Sequence, residues 1–205
     1  MFALIENQQI TKHLSGNKGI TLGDIQYPRS IFTLWSEAER NAIGIFEVTV
    51  DTTNKKDEQW YINTNVSYGV ESNKAVGSYG TATAKAHADT LWTQQDSDDG
   101  NLPDNKSVGD VKVEGLKTTL IRTVKAQAAG ILQDTDWYIV RKADASTAVP
   151  SAITTHRAAV RTKAAEQETL ITNASDTPAL ETLYTYTTTD GVTSRPLGEL
   201  PRLES

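Results

Sequence analysis

The spacing of apolar residues changes near residue 110, and this change constrains the fold more than any other feature of the chain. Before it, "FALIEN", "QITKHL" and "NAIGIFEVTV" carry the two-residue rhythm of strands, the last around Ile43, Ile45 and Val48. After it, Val113, Leu116, Leu120, Val124 and Ile131 or Leu132 fall near one helical stripe, with Ser107 to Asp110 as the expected cap. A second helix is expected from Pro150, which is tolerated in a first turn, with Ile153, Val160, Ala164 and Ile171 on one side. The predicted class is α+β: a β-rich N-terminal domain, an α-helical hairpin, and an extended C-terminal arm.

Local signals place the expected elements. Val66, Tyr68 and Val70 share one face of a strand, and Ser72-Asn73-Lys74 reads as a hairpin loop, so the β-rich part is expected to be an antiparallel meander. Ser36 to Glu39 has capping-box spacing and Gly44 offers a stop, which predicts a short helix between them. A further short helix is expected to carry Leu91 and Trp92. The acidic, turn-forming residues 96–109 read as a linker, which gives expected domains over 1–95 and 110–175 and an arm over 176–205. In the arm, Asp190-Gly191 marks a turn, while Pro196 and Pro201 interrupt regular structure.

Composition excludes several function classes. The 205 residues carry a formal net charge of -6 and no long Lys/Arg cluster, so neither nucleic acid nor an anionic membrane is an expected partner. The absence of cysteine removes disulfides, thiolate zinc sites and cysteine nucleophiles. Apolar runs are short, and "MFALIENQQITK" lacks the basic and long apolar regions of a signal peptide, so a soluble chain not exported by that route is expected.

Motifs for chemistry are sparse. His13, His87 and His156 each stand alone, without ligand-spaced neighbours, and no metal is expected. Asp96-Ser97-Asp98-Asp99-Gly100-Asn101 invites a calcium reading, but the acids are out of register with an EF-hand and a solvated linker is preferred. No dinucleotide fingerprint, P-loop or nucleophile elbow occurs, and no cofactor is expected. Tyrosines and tryptophans such as Trp60, Tyr61 and Tyr68 lie in strand-like segments, where packing is preferred to sugar stacking.

The stretch "DTDWYIVRKADASTAVPSAITTHRAAVRTKA" concentrates the candidate residues: Asp134, Asp136, Trp137, Arg141, Pro150, His156, Arg157 and Arg161. Asp134 and Asp136 are expected to cap a short helix "WYIVRKA", with Trp137 and Val140 pointing into the hairpin. Arg141, Arg157 and Arg161 are then available to pair with those acids or with Glu166, a structural lock between helices rather than a catalytic set.

This stretch resembles the C-terminal module of phage tail assembly chaperones and tail-fibre assembly proteins, in which a helix is followed by "TDW", a proline-containing spacer and "YRxxLR". Thr135-Asp136-Trp137 matches the first motif, and His156-Arg157-Ala158-Ala159-Val160-Arg161 matches the second, with His156 for tyrosine and Val160 for leucine. "GITLGDIQYPRSIFTLWSEAERNAIGIFEV" also resembles the leading segment of such proteins. The two stretches cover about half the chain, and the family offers no catalytic residues to carry over. The resemblance implies a non-enzymatic component of a virion tail, assembled in the host cytoplasm and binding tail or tail-fibre proteins, with room for a homo-oligomer imposed by tail symmetry. Alternatives are a transient assembly chaperone and a host-surface glycan hydrolase.

Overall fold

The computed structural model describes residues 1–203. The fold is α+β, and the chain separates into two compact units, Met1–Thr83 and Ala84 onward. The boundary expected at 95–96 lies inside the second unit.

The first unit holds β1 (Phe2–Glu6), β2 (Gln9–Leu14), β3 (Ile20–Leu22), β4 (Ile25–Tyr27), α1 (Ile31–Leu34), α2 (Glu37–Ala42), β5 (Ile45–Asp51), β6 (Tyr61–Ile62), β7 (Val66–Glu71) and β8 (Lys74–Tyr79). β9 (Thr83–Ala84) lies where the chain passes from one unit to the other. The main sheet has five strands in the order β2-β1-β5-β8-β7. It is not the expected meander, because β5 pairs with β8 in parallel, Val48 opposite Ala75. A long excursion between these strands permits that pairing, whereas antiparallel neighbours need only a tight turn.

Two tight hairpins join strands of this sheet, the second at the expected loop. Asn7 and Gln8 (φ 51° and 61°) turn β1 into β2, and Ser72 and Asn73 (φ 48° and 60°) turn β7 into β8. Consecutive positive φ values suit the right-handed strand twist, and asparagine tolerates them. Lys74, expected in the second loop, already belongs to β8. Gln8 Nε2 donates to Asn73 Oδ1 at 2.8 Å, so the two turns meet. His13 of β2 also meets Tyr68 of β7 edge-on, with ring centroids 4.7 Å apart. The sheet is therefore curled, its two edge strands brought near each other.

Strand register gives this sheet two apolar faces. Leu4 and Ile45 share one face and pack with Leu14, Ile20, Ile31 and Phe32, the last two from α1. Ala3 and Ala75, both fully buried, belong to the other face together with Tyr68 and Gly77. A Cβ on Gly77 would stand 2.8 Å from Tyr68 Cε1 and Val66 Cγ1. Glycine thus leaves room for the ring opposite it. α2 forms where expected: Ser36 and Glu39 complete a capping box. α1 has no such signal and was not expected.

The second unit contains β10 (Thr90–Leu91), α3 (Gln94–Asp98), β11 (Val111–Val113), α4 (Leu116–Gln133), α5 (Asp136–Ala145), α6 (Ser151–Asn173), α7 (Thr177–Tyr184), β12 (Thr187–Thr189) and β13 (Val192–Ser194). Leu91 lies in a strand paired with β11, and Trp92 follows it, so neither belongs to the expected helix. Helical structure starts only after Thr93, whose hydroxyl accepts from Asp96 N at 3.2 Å while Asp96 Oδ2 accepts from Thr93 N at 2.9 Å. The residues expected to be a linker are thus partly structured. Asp96 Oδ1 also takes Lys112 Nζ at 2.5 Å, and this bond, followed by those from Thr93, lowers the Asp96 pKa to about 2.

α4 begins at Leu116 rather than near Asp110, and Val113 is 59% exposed in β11. The preceding chain explains the start. Leu116 N and Lys117 N donate to Ala86 O and His87 O, both at 3.0 Å. Asp89 accepts from Gly115 N at 2.7 Å and from Thr118 Oγ1 at 2.8 Å. The amides left over at a helix N-terminus are satisfied from residues 86–89, so Gly115 needs no capping side chain. Gly115 must also be small, since a Cβ there would lie 2.4 Å from the Ala88 carbonyl.

α6 follows the expected stripe: Ile153, Val160, Ala164 and Ile171 are all buried, and α4 packs along it through Leu120, Val124 and Ala128. The expected arm over 176–205 is not simply extended over its described part, 176–203, and its last two residues lie outside the described residues. Asp176 caps α7 through a 2.8 Å bond from Ala179 N, and Asp190-Gly191 then joins β12 to β13. Leu197, 2% exposed, returns the chain to the helices: its amide donates to Leu183 O at 3.0 Å. Gly198 O accepts from Gln167 Nε2 at 3.0 Å.

Candidate functional site

The two halves of the sequence signature meet at the corner between α4 and α5. α4 ends as Thr135 N and Thr135 Oγ1 both donate to Leu132 O, at 3.1 Å and 2.9 Å. α6 delivers Arg157 to the same carbonyl: Arg157 Nη1 lies 2.7 Å from Leu132 O and 2.7 Å from Thr135 Oγ1. Arg157 Nη2 pairs with Asp136 Oδ1 at 2.8 Å. Thr135 is 2% exposed and Arg157 7%, so the corner is dry on the arginine side, while the Asp136 side chain is 56% exposed. A planar guanidinium suits this task because its donors diverge in fixed directions and reach a carbonyl, a hydroxyl and a carboxylate together.

The remaining candidates occupy different surroundings. Asp134 is the residue that closes α4, and Thr135, not an aspartate, precedes α5 without a side-chain cap. Asp136 is the first residue of α5, where a carboxylate complements the positive end of the helix. Pro150 directly precedes α6. His156, within α6, is buried beside Arg157, and its side chain makes no hydrogen bond among the described residues. Arg161 is exposed and forms no ion pair among the described residues, and Glu166 pairs with Lys163 at 3.2 Å instead.

Trp137 and Val140 do not point into the hairpin: they are 51% and 65% exposed, and α5 buries no residue at all. Trp137 and Tyr138 lie with ring centroids 3.8 Å apart, and the Arg141 guanidinium covers both, at 4.7 Å and 5.5 Å. Arg141 therefore serves the aromatic pair rather than the acids. Ile139 is exposed as well, at 43%, so α5 displays Trp137, Ile139 and Val140 outward. Arginine over adjacent rings holds them in place by cation–π attraction.

The corner has the geometry of a lock. Its polar groups are a guanidinium, a hydroxyl, a backbone carbonyl and one carboxylate, engaged with each other. Among the described residues, no group of three or more His, Asp or Glu side chains is placed to share a metal ion. No helix among them is long and apolar enough to cross a membrane. Comparison with family models, curated proteins and solved structures found no match for the chain.

Sequence reasoning missed two parts of this site. Thr135 and the Leu132 carbonyl are the acceptors that hold Arg157, and nothing in a threonine or in a main-chain oxygen announces that role. The outward direction of Trp137 had one available signal: "DWYIVRKADA" mixes apolar and charged residues without leaving one consistently apolar side for a core.

Proposed function

We propose that this chain is a non-enzymatic protein of a tailed bacteriophage, located in the virion tail, and that it binds tail or tail-fibre subunits through α5. The observation that carries the reading is the exposure of Trp137, Ile139 and Val140 on a helix held firmly at its first residues by Arg157. A monomer gains nothing in stability from such a surface. A partner burying it would gain the transfer of a tryptophan and two aliphatic side chains out of water, and tryptophan anchors dominate interface energies. The resemblance of the Thr135-Asp136-Trp137 and Arg157 to Arg161 motifs to tail assembly proteins supports the identity of the partner.

Co-expression with a phage tail-fibre protein tests the reading. Co-purification that is lost on Trp137→Ala and Val140→Asp supports it, and no association in any order of expression contradicts it. Detection in finished particles separates a virion component from an assembly chaperone that leaves. Glycan cleavage by the purified chain would replace both with a hydrolase.

A further inference from the structure

A cavity of about 710 Å³ lies in the second unit, lined in part by Gly130 and Ile131 near the end of α4. It is bounded by one face of α4, by α6 and by the returning C-terminal segment. We infer that it is a binding site for a saccharide.

Three observations point to a ligand. First, Gln167 lines the cavity at 2% exposure; its Nε2 is used by Gly198 O, while its Oε1 has no hydrogen-bond partner among the described residues. That oxygen is not sealed from solvent, so a group that donates can reach it. Second, Gly130 lies within α4 and lines the cavity, yet nothing stands within 4 Å of the place a Cβ would take. Glycine weakens a helix interior relative to alanine, and here packing does not require it. Bare backbone at the wall lets a bound molecule approach closely. Third, Tyr186 presents a ring that is 53% exposed. The ring is fixed on one side by the Arg195 guanidinium, 5.1 Å from its centroid, and at its tip by a 2.6 Å bond from its hydroxyl to Glu199 Oε1.

The chemistry of the lining selects the ligand class. Gln127, Gln167, Glu199 and Arg202 are planar groups that together offer both donors and acceptors. A sugar ring carries hydroxyls that donate and accept around its edge and a C–H face that packs on an aromatic ring, so it uses both features. An acidic peptide fits less well. Arg195 is already engaged, its Nη2 donating to Glu199 Oε2 at 2.9 Å, and the Glu199 carboxylate would face an incoming anion. The volume also falls in the range of small-ligand sites, roughly 300–1,000 Å³. The inference is independent of the tail reading, since a saccharide site and a protein contact on α5 involve different residues.

Amide NMR titration of the full chain tests it, with methyl glucoside, methyl galactoside, methyl mannoside and N-acetylglucosamine as separate probes and a triglutamate peptide as the comparison. At least one saccharide is expected to shift the Gly130 and Gln167 signals saturably within the millimolar range. Gly130→Leu is expected to weaken that binding about tenfold or more, because its side chain takes the ligand's place. The unfolding midpoint should remain unchanged or rise, since leucine is the better helix former and meets no neighbour at Cβ. Tyr186→Ala should weaken binding too. No saturable shift with any of the four saccharides, shifts that survive Gly130→Leu, or shifts with triglutamate alone would each overturn the inference.

Discussion

Replacing Arg157 by methionine keeps most of the buried side-chain volume and removes the guanidinium that holds the α4–α5 corner. The structure allows the cost to be worked out contact by contact. Two charge-assisted bonds are lost, to Leu132 O and Thr135 Oγ1, each contributing about 1.5–3 kcal/mol. The ion pair with Asp136 adds little, at most about 1 kcal/mol, because that carboxylate is 56% exposed and well solvated. Against these losses, Arg157 Nε is buried without a hydrogen-bond partner, and removing it relieves a penalty of about 1–2 kcal/mol. The net expectation for Arg157→Met is destabilisation by roughly 1–6 kcal/mol, and for Asp136→Asn less than about 1 kcal/mol. Urea unfolding followed by far-ultraviolet circular dichroism reads both, since the long helices all belong to the second unit. A loss below about 0.5 kcal/mol for Arg157→Met, the range of ordinary surface changes, would refute the lock. So would an equal loss for Asp136→Asn, because the pair rather than the neutral acceptors would then hold the corner.

Trp137→Ala should leave the unfolding free energy within about 0.5 kcal/mol of the parent, as expected for an exposed residue, while weakening association with a tail-fibre subunit by about 2 kcal/mol or more, roughly thirtyfold; calorimetric titration measures the second quantity. Gly77→Val should destabilise the first unit by about 1–3 kcal/mol, since its Cβ meets the Tyr68 and Val66 side chains at 2.8 Å, and the change should appear in the near-ultraviolet dichroism of Tyr68 and its neighbours. Asp96 should titrate near 2 by carboxyl NMR, held down by its bonds from Lys112 and Thr93. Because its folded pKa lies below the ordinary aspartate value of about 3.9, the stabilisation it lends α3 is complete above that value and lost as pH falls toward 2. A midpoint near 4 would mean that these bonds are not made.

The helices show what the sequence could and could not convey. The stripe of Ile153, Val160, Ala164 and Ile171 was legible because burial against α4 requires the helical period that those residues display. The start of α4 was not, since Val113 continues the same spacing by chance while sitting in a two-stranded ribbon. The residues that decide the start, Asp89 and the Ala86 and His87 carbonyls, act from outside the helix. The parallel β5–β8 pair was hidden for a similar reason: apolar alternation marks strands without saying which strands become neighbours. At the candidate site, the sequence offered Asp136 and Arg157 as one possible pair, and the structure joins them. The cap and the direction of Trp137 were not legible, because capping preference favours aspartate where Thr135 stands, and hydrophobicity favours burying a tryptophan that is in fact displayed.

Mass spectrometry of gradient-purified tailed particles, from cells in which this chain is made together with a complete set of phage tail proteins, tests the proposed function most directly. Peptides of the chain should be present at a fixed ratio to the tail proteins, in a number set by tail symmetry, and should disappear from particles formed with Trp137→Ala. Particles that are complete and infectious without the chain, and never contain it, would contradict a virion component.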